Sequence, residues 1–381
     1  MIMAQAKRIK TALIGSGAIS GTYLKNITEN FHIIEMVGCS DIIPERSANR
    51  AKEFNIKQMT NEEIYADKDI EIVINTTYPL SHLEVTKDAL KAGKNVYCEK
   101  MMAVDLTEGK ELVDLAKSKG LLFTMAPDTF LGAGWQAARH AIDNGAIGEA
   151  VTAVGVCIRA YHDTSDTLGD KKSFVFSAGG GIPFDMGGYY LHNFINLLGP
   201  IDRVCGFIKA RNPVKKYVNP HHPKYGEDYT IDSPNTMIGS LEFANGTLLS
   251  LTITSEISIF TTPLFELQGT AGVLTCYDPN DFIGEVSLSN NNKYAVPLPL
   301  IHGFAQEFRG LGVADMAYAI KNKRKPRADC EMGYHAFEAI HGIIQSCETG
   351  QIYKMKSTCT RPAPLRPTQF YGKAQESILD D

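Results

Sequence analysis

Short apolar runs alternate with helical spacings through the first third of the chain. Ile9–Ile14 (IKTALI) has the density of branched apolar residues expected of a buried strand, and helical spacing resumes at Tyr23, Leu24 and Ile27. Three more apolar runs, at 33–39, 71–75 and 95–98, read as strands. The helix after the third strand ends at Ala92-Gly93, a glycine stop, and a last strand is expected at 121–125. Strands alternating with helices in this way predict an α/β unit built on a parallel sheet. The pattern changes beyond residue 128. A helix is expected over 135–144, ended by Gly145, and a strand over 151–158. Strands then dominate: 237–243 and 247–254 flank Asn245-Gly246, a strong short hairpin signal, and 262–269 and 272–276 follow. Helical spacing returns at 309–320 and 334–348.

One helix stands out, the one entered through Gly179-Gly180-Gly181. Asp185, Tyr189 and His192 recur at spacings of four and three, so they share a face, and Asn196 continues the stripe. Phe184, Leu191, Phe194, Ile195 and Leu198 supply the buried side, and Gly199-Pro200 stops the helix. Gly187 and Gly188 lie inside it, each costing roughly 1 kcal/mol against alanine. That cost predicts that something approaches the helix backbone closely there. An acid, a phenol and an imidazole beside the gap make this face a candidate reaction site.

Length and composition narrow the class. The 381 residues predict two domains, divided here into 1–128 and 129–360, with a proline-rich tail at 361–381 packing on the body or on a neighbouring subunit. Hydrophobic residues make up 44% and charged residues 21%, as in an ordinary globular protein, and the net charge of −5 argues against a nucleic-acid partner. The only basic cluster, Lys321–Arg327, reads as a solvated helix end. Eight cysteines are scattered with no CxxC, which predicts buried thiols in a reducing, cytoplasmic setting. Neither a signal peptide nor a membrane-length apolar window is apparent. No metal site is expected: His221 and His222 are adjacent, so they point apart, and no acid or cysteine stands at ligand spacing. His335 and His341 read as core or interface residues.

The first strand leads straight into Gly15-Ser16-Gly17-Ala18-Ile19-Ser20-Gly21. Strand, glycine turn and helix let backbone N–H groups and a helix N-terminus hold a pyrophosphate. The fit to the usual spacing is imperfect, because Ser20 takes the third small position and the glycine comes one residue late. About twenty-five residues on, the second strand ends at Asp41, placed to accept hydrogen bonds from the adenosine ribose. A carboxylate there disfavours a 2′-phosphate, which predicts NAD over NADP. Arg46 can stack on adenine or still reach a phosphate. The carboxyl ends of the next strands bring Asn75, Thr76, Thr77 and His82, then Glu99 and Lys100, to the same edge as further cofactor-contacting candidates, with Lys100 also a candidate catalytic group.

These motifs together resemble the Gfo/Idh/MocA oxidoreductases: the glycine loop, Glu99-Lys100, and Gly180-Gly181 followed by Asp185-x-Gly187-x-Tyr189. Ala126–Gly132, Asp278-Pro-Asn280, Gly312–Met316 and Cys359–Pro364 resemble a sugar-dehydrogenase-like subgroup. The resemblance implies a Rossmann domain followed by an α+β domain with a large, mostly antiparallel sheet whose outer face forms a homodimer or homotetramer. It also implies that Lys100 and the Asp185/Tyr189 pair flank the substrate over the nicotinamide. Two positions depart from the family pattern. Met101 replaces the usual proline after the lysine, and since a cis non-proline bond costs about 3 kcal/mol, a trans peptide is expected. Tyr189 stands where many cyclitol dehydrogenases carry histidine.

The expected activity is hydride transfer between NAD and a secondary hydroxyl of a sugar, glycoside or cyclitol, with oxidation at pyranose C3 favoured. The alternatives are a redox-neutral glycoside-cleaving enzyme of the same fold and a non-enzymatic sensor. Lys100 is expected to stabilise the reacting oxygen, and Tyr189 to act as acid/base, since a nearby ammonium favours its phenolate. Asp185 holds the lysine or binds a neighbouring hydroxyl. His192 relays the proton, binds substrate, or is only a helix histidine bonded to backbone. Tyr161 and His162, in a polar stretch over 161–172, contact sugar hydroxyls or belong to a solvated loop.

Overall fold

The computed structural model describes residues 8–159, 179–217, 220–257, 259, 261–290, 294–368 and 376–381. Tyr161 and His162 lie outside the described residues.

Six parallel strands form the first sheet: β1 (Ile9–Ile14), β2 (Ile34–Ser40), β3 (Lys57–Gln58), β4 (Ile72–Asn75), β5 (Asn95–Cys98) and β6 (Phe123–Met125), in the order β3-β2-β1-β4-β5-β6. All four residues of β4 are buried, as expected of a strand covered on both faces. The helices between them are α1 (Ser20–Asn30), α2 (Pro44–Phe54), α3 (Asn61–Ala66), α4 (Pro79–Lys91) and α5 (Leu106–Lys119). Strand order reverses between β1 and β4, so the ends of these strands flank the crevice where ligands of such sheets bind.

After α6 (Ala133–Asp143), β7 (Ala150–Ile158) and α7 (Ile182–Leu198) come β8 (Ile201–Lys209), β9 (Val214–Lys216), β10 (Asp228–Thr230), β11 (Thr236–Phe243), β12 (Leu248–Thr254), β13 (Leu264–Gly269), β14 (Val273–Cys276), β15 (Ser287–Ser289) and β16 (Val296–Pro297). Two more helices, α8 (Leu311–Asn322) and α9 (Cys330–Thr349), precede β17 (Tyr353–Lys354). Nine of these strands form one sheet, ordered β16-β15-β14-β13-β7-β12-β11-β8-β17, antiparallel at every pairing except β12 with β7. β9 and β10 form a separate hairpin.

Burial alternates along the sheet. Met237, Leu241 and Phe243 of β11 are buried, whereas Ile238 and Ser240 face outward. α7 and α9 cover the inner face. The predicted hairpin is present: Gly246 adopts φ +88°, and Phe243 N donates to Thr247 O. The outer face carries Phe207, paired with Ile238 across β8 and β11, together with Leu248 and Leu264, all exposed.

Two expectations need correction. α7 is not amphipathic: every residue except Asp185 is buried, because sheet, helices and the first domain's loops enclose it. Arg309 lies outside its expected helix, since Gly310 takes φ +106° and α8 starts only at Leu311. No helix among the described residues is long and apolar enough to cross a membrane.

Candidate active site

The glycine loop is built from its own residues. Gly15 adopts φ +101°, and a Cβ there would lie 2.6 Å from Thr76 C, so only glycine lets β1 turn against the β4 loop. Ser16 Oγ donates to Ser40 O, and Ser20 Oγ to Gly17 O. A Cβ on Gly17 would meet nothing within 4 Å, so the loop is open on that side. α1 begins at Ser20 after Ala18 and Ile19, with no capping side chain and no acid in its first turn, leaving its positive end for an anion. These residues fit a dinucleotide. The late glycine has a separate reason: a Cβ on Gly21 would lie 2.9 Å from the guanidinium of Arg50, whose Nε donates to Ser20 Oγ. Arg50, beside the phosphate cradle, is a residue that sequence reasoning missed.

Asp41 closes β2, and its Oδ1 accepts Ile43 N. Arg46, on α2, is exposed. Of the residues expected to contact cofactor, several have side chains committed to bracing the loops. Asn75 Nδ2 donates to His82 O and Thr86 Oγ1, Asn75 Oδ1 accepts Thr77 N and Oγ1, and Thr76 Oγ1 donates to Gly15 O. The buried His82 ring spans 2.6 Å to Met101 O and 2.9 Å to Thr77 O, which joins this loop to the lysine segment. Glu99 accepts Tyr23 Oη at 2.6 Å and Lys100 N. The Lys100–Met101 peptide is cis, not the expected trans. The expectation rested on an isolated peptide, whereas here Glu99 and His82 engage the backbone on either side.

Lys100 crosses from the first sheet to α7. Its ammonium pairs with Asp185 Oδ1, lies 3.4 Å from Asp185 O, and sits 4.7 Å from the centre of the Tyr189 ring. Burial alone would push the lysine down, but Asp185, the Tyr189 oxygen and Glu99 outweigh it, and the net shift is upward. Lys100 is therefore a firm cation, suited to stabilising negative charge and unsuited to taking a proton. Asp185 is in the first turn of α7, where the helix end favours a carboxylate.

His192 is fully enclosed. Its Nδ1 faces Gly188 O at 2.7 Å, and since a carbonyl only accepts, Nδ1 carries the hydrogen and Nε2 is left as an acceptor. Burial pushes it down to about 4, so it is neutral at pH 7. Asn196 is drawn away from the site: its backbone oxygen and Oδ1 both accept from Arg139.

The close approach expected at the two helix glycines is found among protein atoms at Gly187. A Cβ on Gly187 would lie 3.3 Å from Ile340 of α9, a tight contact, whereas one on Gly188 would lie 3.7 Å from Met101 Sδ, an ordinary one.

Four further residues complete the surroundings. Arg159 pairs with Asp278 at 2.6 Å, and Asp278 Oδ1 accepts Asn280 N. Asn280 O and Oδ1 accept from Arg309, whose Nη2 also lies 3.4 Å from Tyr189 Oη. Asp278-Pro-Asn280 is thus a hub beside the reaction face, which its sequence alone does not reveal. Among the described residues, no group of three or more His, Cys, Asp or Glu side chains is arranged to hold a metal ion.

Fold and site together define a two-part dinucleotide-binding protein with a lysine–aspartate–tyrosine cluster at the mouth of its crevice. Residues 9–126 match the oxidoreductase family with an NAD-binding Rossmann fold, and residues 135–275 match the GFO/IDH/MocA C-terminal domain. The chain belongs to the Gfo/Idh/MocA oxidoreductase family.

An uncharacterised oxidoreductase of Schizosaccharomyces pombe is 31% identical over 54% of this chain and 56% of its own length, so the match spans about half of that relative. The 1,5-anhydro-D-fructose reductase of Ensifer adhaerens is 26% identical over 85% of this chain and 92% of its own. The solved apo form of a levoglucosan dehydrogenase superposes with a TM-score of 0.80 at 19% identity, covering 93% of this chain and all of that one, which shows a shared fold.

Proposed function

We propose that this protein is an NAD-dependent dehydrogenase that moves a hydride between nicotinamide and a secondary hydroxyl of a sugar, glycoside or cyclitol. One observation carries this reading: Lys100, at the carboxyl end of β5 beside a dinucleotide cradle, is paired with Asp185 and lies against Tyr189. Bound nicotinamide supplies the hydride acceptor. Lys100, held charged by Asp185, hydrogen-bonds the reacting oxygen and stabilises the negative charge it develops. Tyr189 Oη exchanges the hydroxyl proton. His192 presents Nε2 as an acceptor for a neighbouring substrate hydroxyl; with its pKa pushed down to about 4 it is a poor match for proton relay at neutral pH. The arginines flanking the site are already paired with Asp278 and Glu307, which favours a neutral polyol over an anionic substrate. The relatives named for 1,5-anhydro-D-fructose and levoglucosan support the sugar class. Within it the favoured reaction is oxidation at pyranose C3. Asp41, at the ribose position with exposed Ile42 beside it, favours NAD over NADP. The proposed assembly is a homodimer or homotetramer through the outer face of the nine-stranded sheet.

Reduction of NAD and NADP, followed in parallel across free sugars, glycosides and inositols, tests the assignment. NADH is expected to accumulate with at least one neutral polyol. Product formation without NADH accumulation would instead indicate a redox-neutral cycle. The substitution Lys100→Met is expected to abolish turnover, lowering kcat by at least about a hundredfold, while NADH binding followed by fluorescence is retained. Full activity in that variant would sink the assignment.

A further inference from the structure

We propose that Arg309 is a positioning residue for Tyr189, fixing the phenol hydroxyl from a segment that is itself anchored to the cofactor-binding unit. The inference rests on the reading of Tyr189 as the proton-exchanging group. Arg309 Nη2 lies 3.4 Å from Tyr189 Oη, the hydrogen bond that oxygen receives from the described residues. Lys100 approaches the ring face at 4.7 Å from its centre, so the ammonium does not fix the direction of the hydroxyl. A guanidinium has only donors. Oη must therefore accept from Arg309, which leaves its own hydrogen and remaining lone pair to point elsewhere, toward the reacting oxygen.

The arginine is held rigidly. The same Nη2 donates to Asn280 Oδ1 at 2.7 Å and Asn280 O at 3.2 Å, and Nη1 pairs with Glu307. Its backbone N donates to Glu307 Oε1 at 2.8 Å, and its carbonyl accepts Asn26 Nδ2 of α1 at 3.1 Å. The next residue, Gly310, packs so tightly on α1 that a Cβ would lie 2.8 Å from Ile27 Cγ1. Gly310 N and Gly312 N both donate to Asp128 Oδ2. The helix that opens at the glycine loop thus bears directly on the backbone that carries Arg309. A lysine could supply the charge but not the planar fork that pairs with Glu307 through Nη1 while Nη2 reaches Asn280 and Tyr189. Charged and titratable groups facing the pair are Lys100, Asp185, Glu307, Asp281, Asp128 and Tyr23.

The test is a kinetic cycle on the wild type, Arg309→Met, Arg309→Lys, Tyr189→Phe and the Arg309→Met/Tyr189→Phe double variant. Arg309→Met is expected to lower kcat about ten- to hundredfold with KM changed less than about threefold, and to move the rising limb of the kcat–pH profile to higher pH. Arg309→Lys should recover part of the loss. In the Tyr189→Phe background the same change should cause no further loss. Should Arg309→Met fail to fold, Asn280→Ala, which releases the guanidinium, is expected to move the profile in the same direction. An unchanged kcat and pH profile, or an equal loss with and without the Tyr189 hydroxyl, overturns the proposal while leaving the function intact. Wild-type kcat in Tyr189→Phe overturns both the proposal and the reading of Tyr189 as the proton-exchanging group on which it rests.

Discussion

Lys100 and His192 show opposite outcomes of the same burial. Both are shielded from water, which penalises charge. Lys100 meets a carboxylate and stays charged, whereas His192 meets only a carbonyl and is held neutral. His302, His335 and His341 are likewise pushed down to about 4, each chiefly by burial, from an ordinary 6.5. For such groups the unfolded chain binds the proton more readily. Their contribution to stability is full above pH 6.5 and is lost as pH falls toward 4. Asp128 works the other way: burial raises its carboxyl to about 6 from 3.8, so its contribution is present below 3.8 and is lost as pH rises through 6. Five histidines lowered by burial, these four and His82, against three aspartates raised by it, Asp128, Asp281 and Asp329, predict a net fall in stability on acidification from pH 6.5 to 4. Urea midpoints across that range should show it, and His335→Gln should flatten the slope. A midpoint that rises on acidification would refute the account. The meeting of Lys100, Asp185 and Tyr189 was legible in the sequence, because the lysine follows a strand's carboxyl end and the other two share a helix face. Arg309 was not: it sits before a helix, next to a glycine whose φ the sequence does not announce, and 120 residues from the hydroxyl it faces.

At the scale of elements, α7 carries the chemistry and explains what the sequence could and could not convey. Its limits were readable, because Gly181 and Gly199 bracket it and Pro183 fits the first turn. Its surroundings were not, since periodicity reports the polarity of a face but not what lies against it. β8 shows the same limit, because the polar Asp202, Arg203 and Lys209 on its exposed side mask a strand whose inner residues Ile201 and Val204 are buried. The glycines of α7 separate two effects. At Gly188 a Cβ would have only ordinary contacts, so Gly188→Ala should gain helix propensity, up to about 1 kcal/mol. At Gly181, φ is +89° and a Cβ would lie 2.1 Å from Pro234 O, so Gly181→Ala should destabilise by at least about 2 kcal/mol. Thermal unfolding of the two variants checks both signs. A loss at Gly188 as large as that at Gly181 would mean that the helix tolerates no added volume on either side.

At the scale of the whole molecule, the two sheets divide the labour. The first was legible almost strand by strand, because parallel strands buried on both faces read as continuous apolar runs. The second was legible mainly where a turn signal fixed the pairing, as at Asn245-Gly246, and its outer face could not be assembled without the register. That register now places Phe207, Ile238, Leu248, Val154, Val156 and Leu264 on one side, opposite the helices. Phe207 is 69% exposed and Ile238 52%, and they are direct cross-strand partners. Phe207, Ile238, Val156 and Leu264 form a row across this face, interrupted by Thr252, and an exposed apolar stripe of this kind is suited to contact with another protein surface. In the proposed homo-oligomer a second copy would cover it by a two-fold arrangement that uses the same patch twice. Native mass measured at micromolar concentration is expected to be a multiple of 41.8 kDa, two- or fourfold. Phe207→Asp combined with Ile238→Asp should return the mass to that of one chain, because each association would bury four like charges without partners. The glycine loop lies on the other sheet, so NADH binding should survive the double change. A wild-type protein that runs as a monomer at that concentration would remove the interface, and would leave the exposed face without an account.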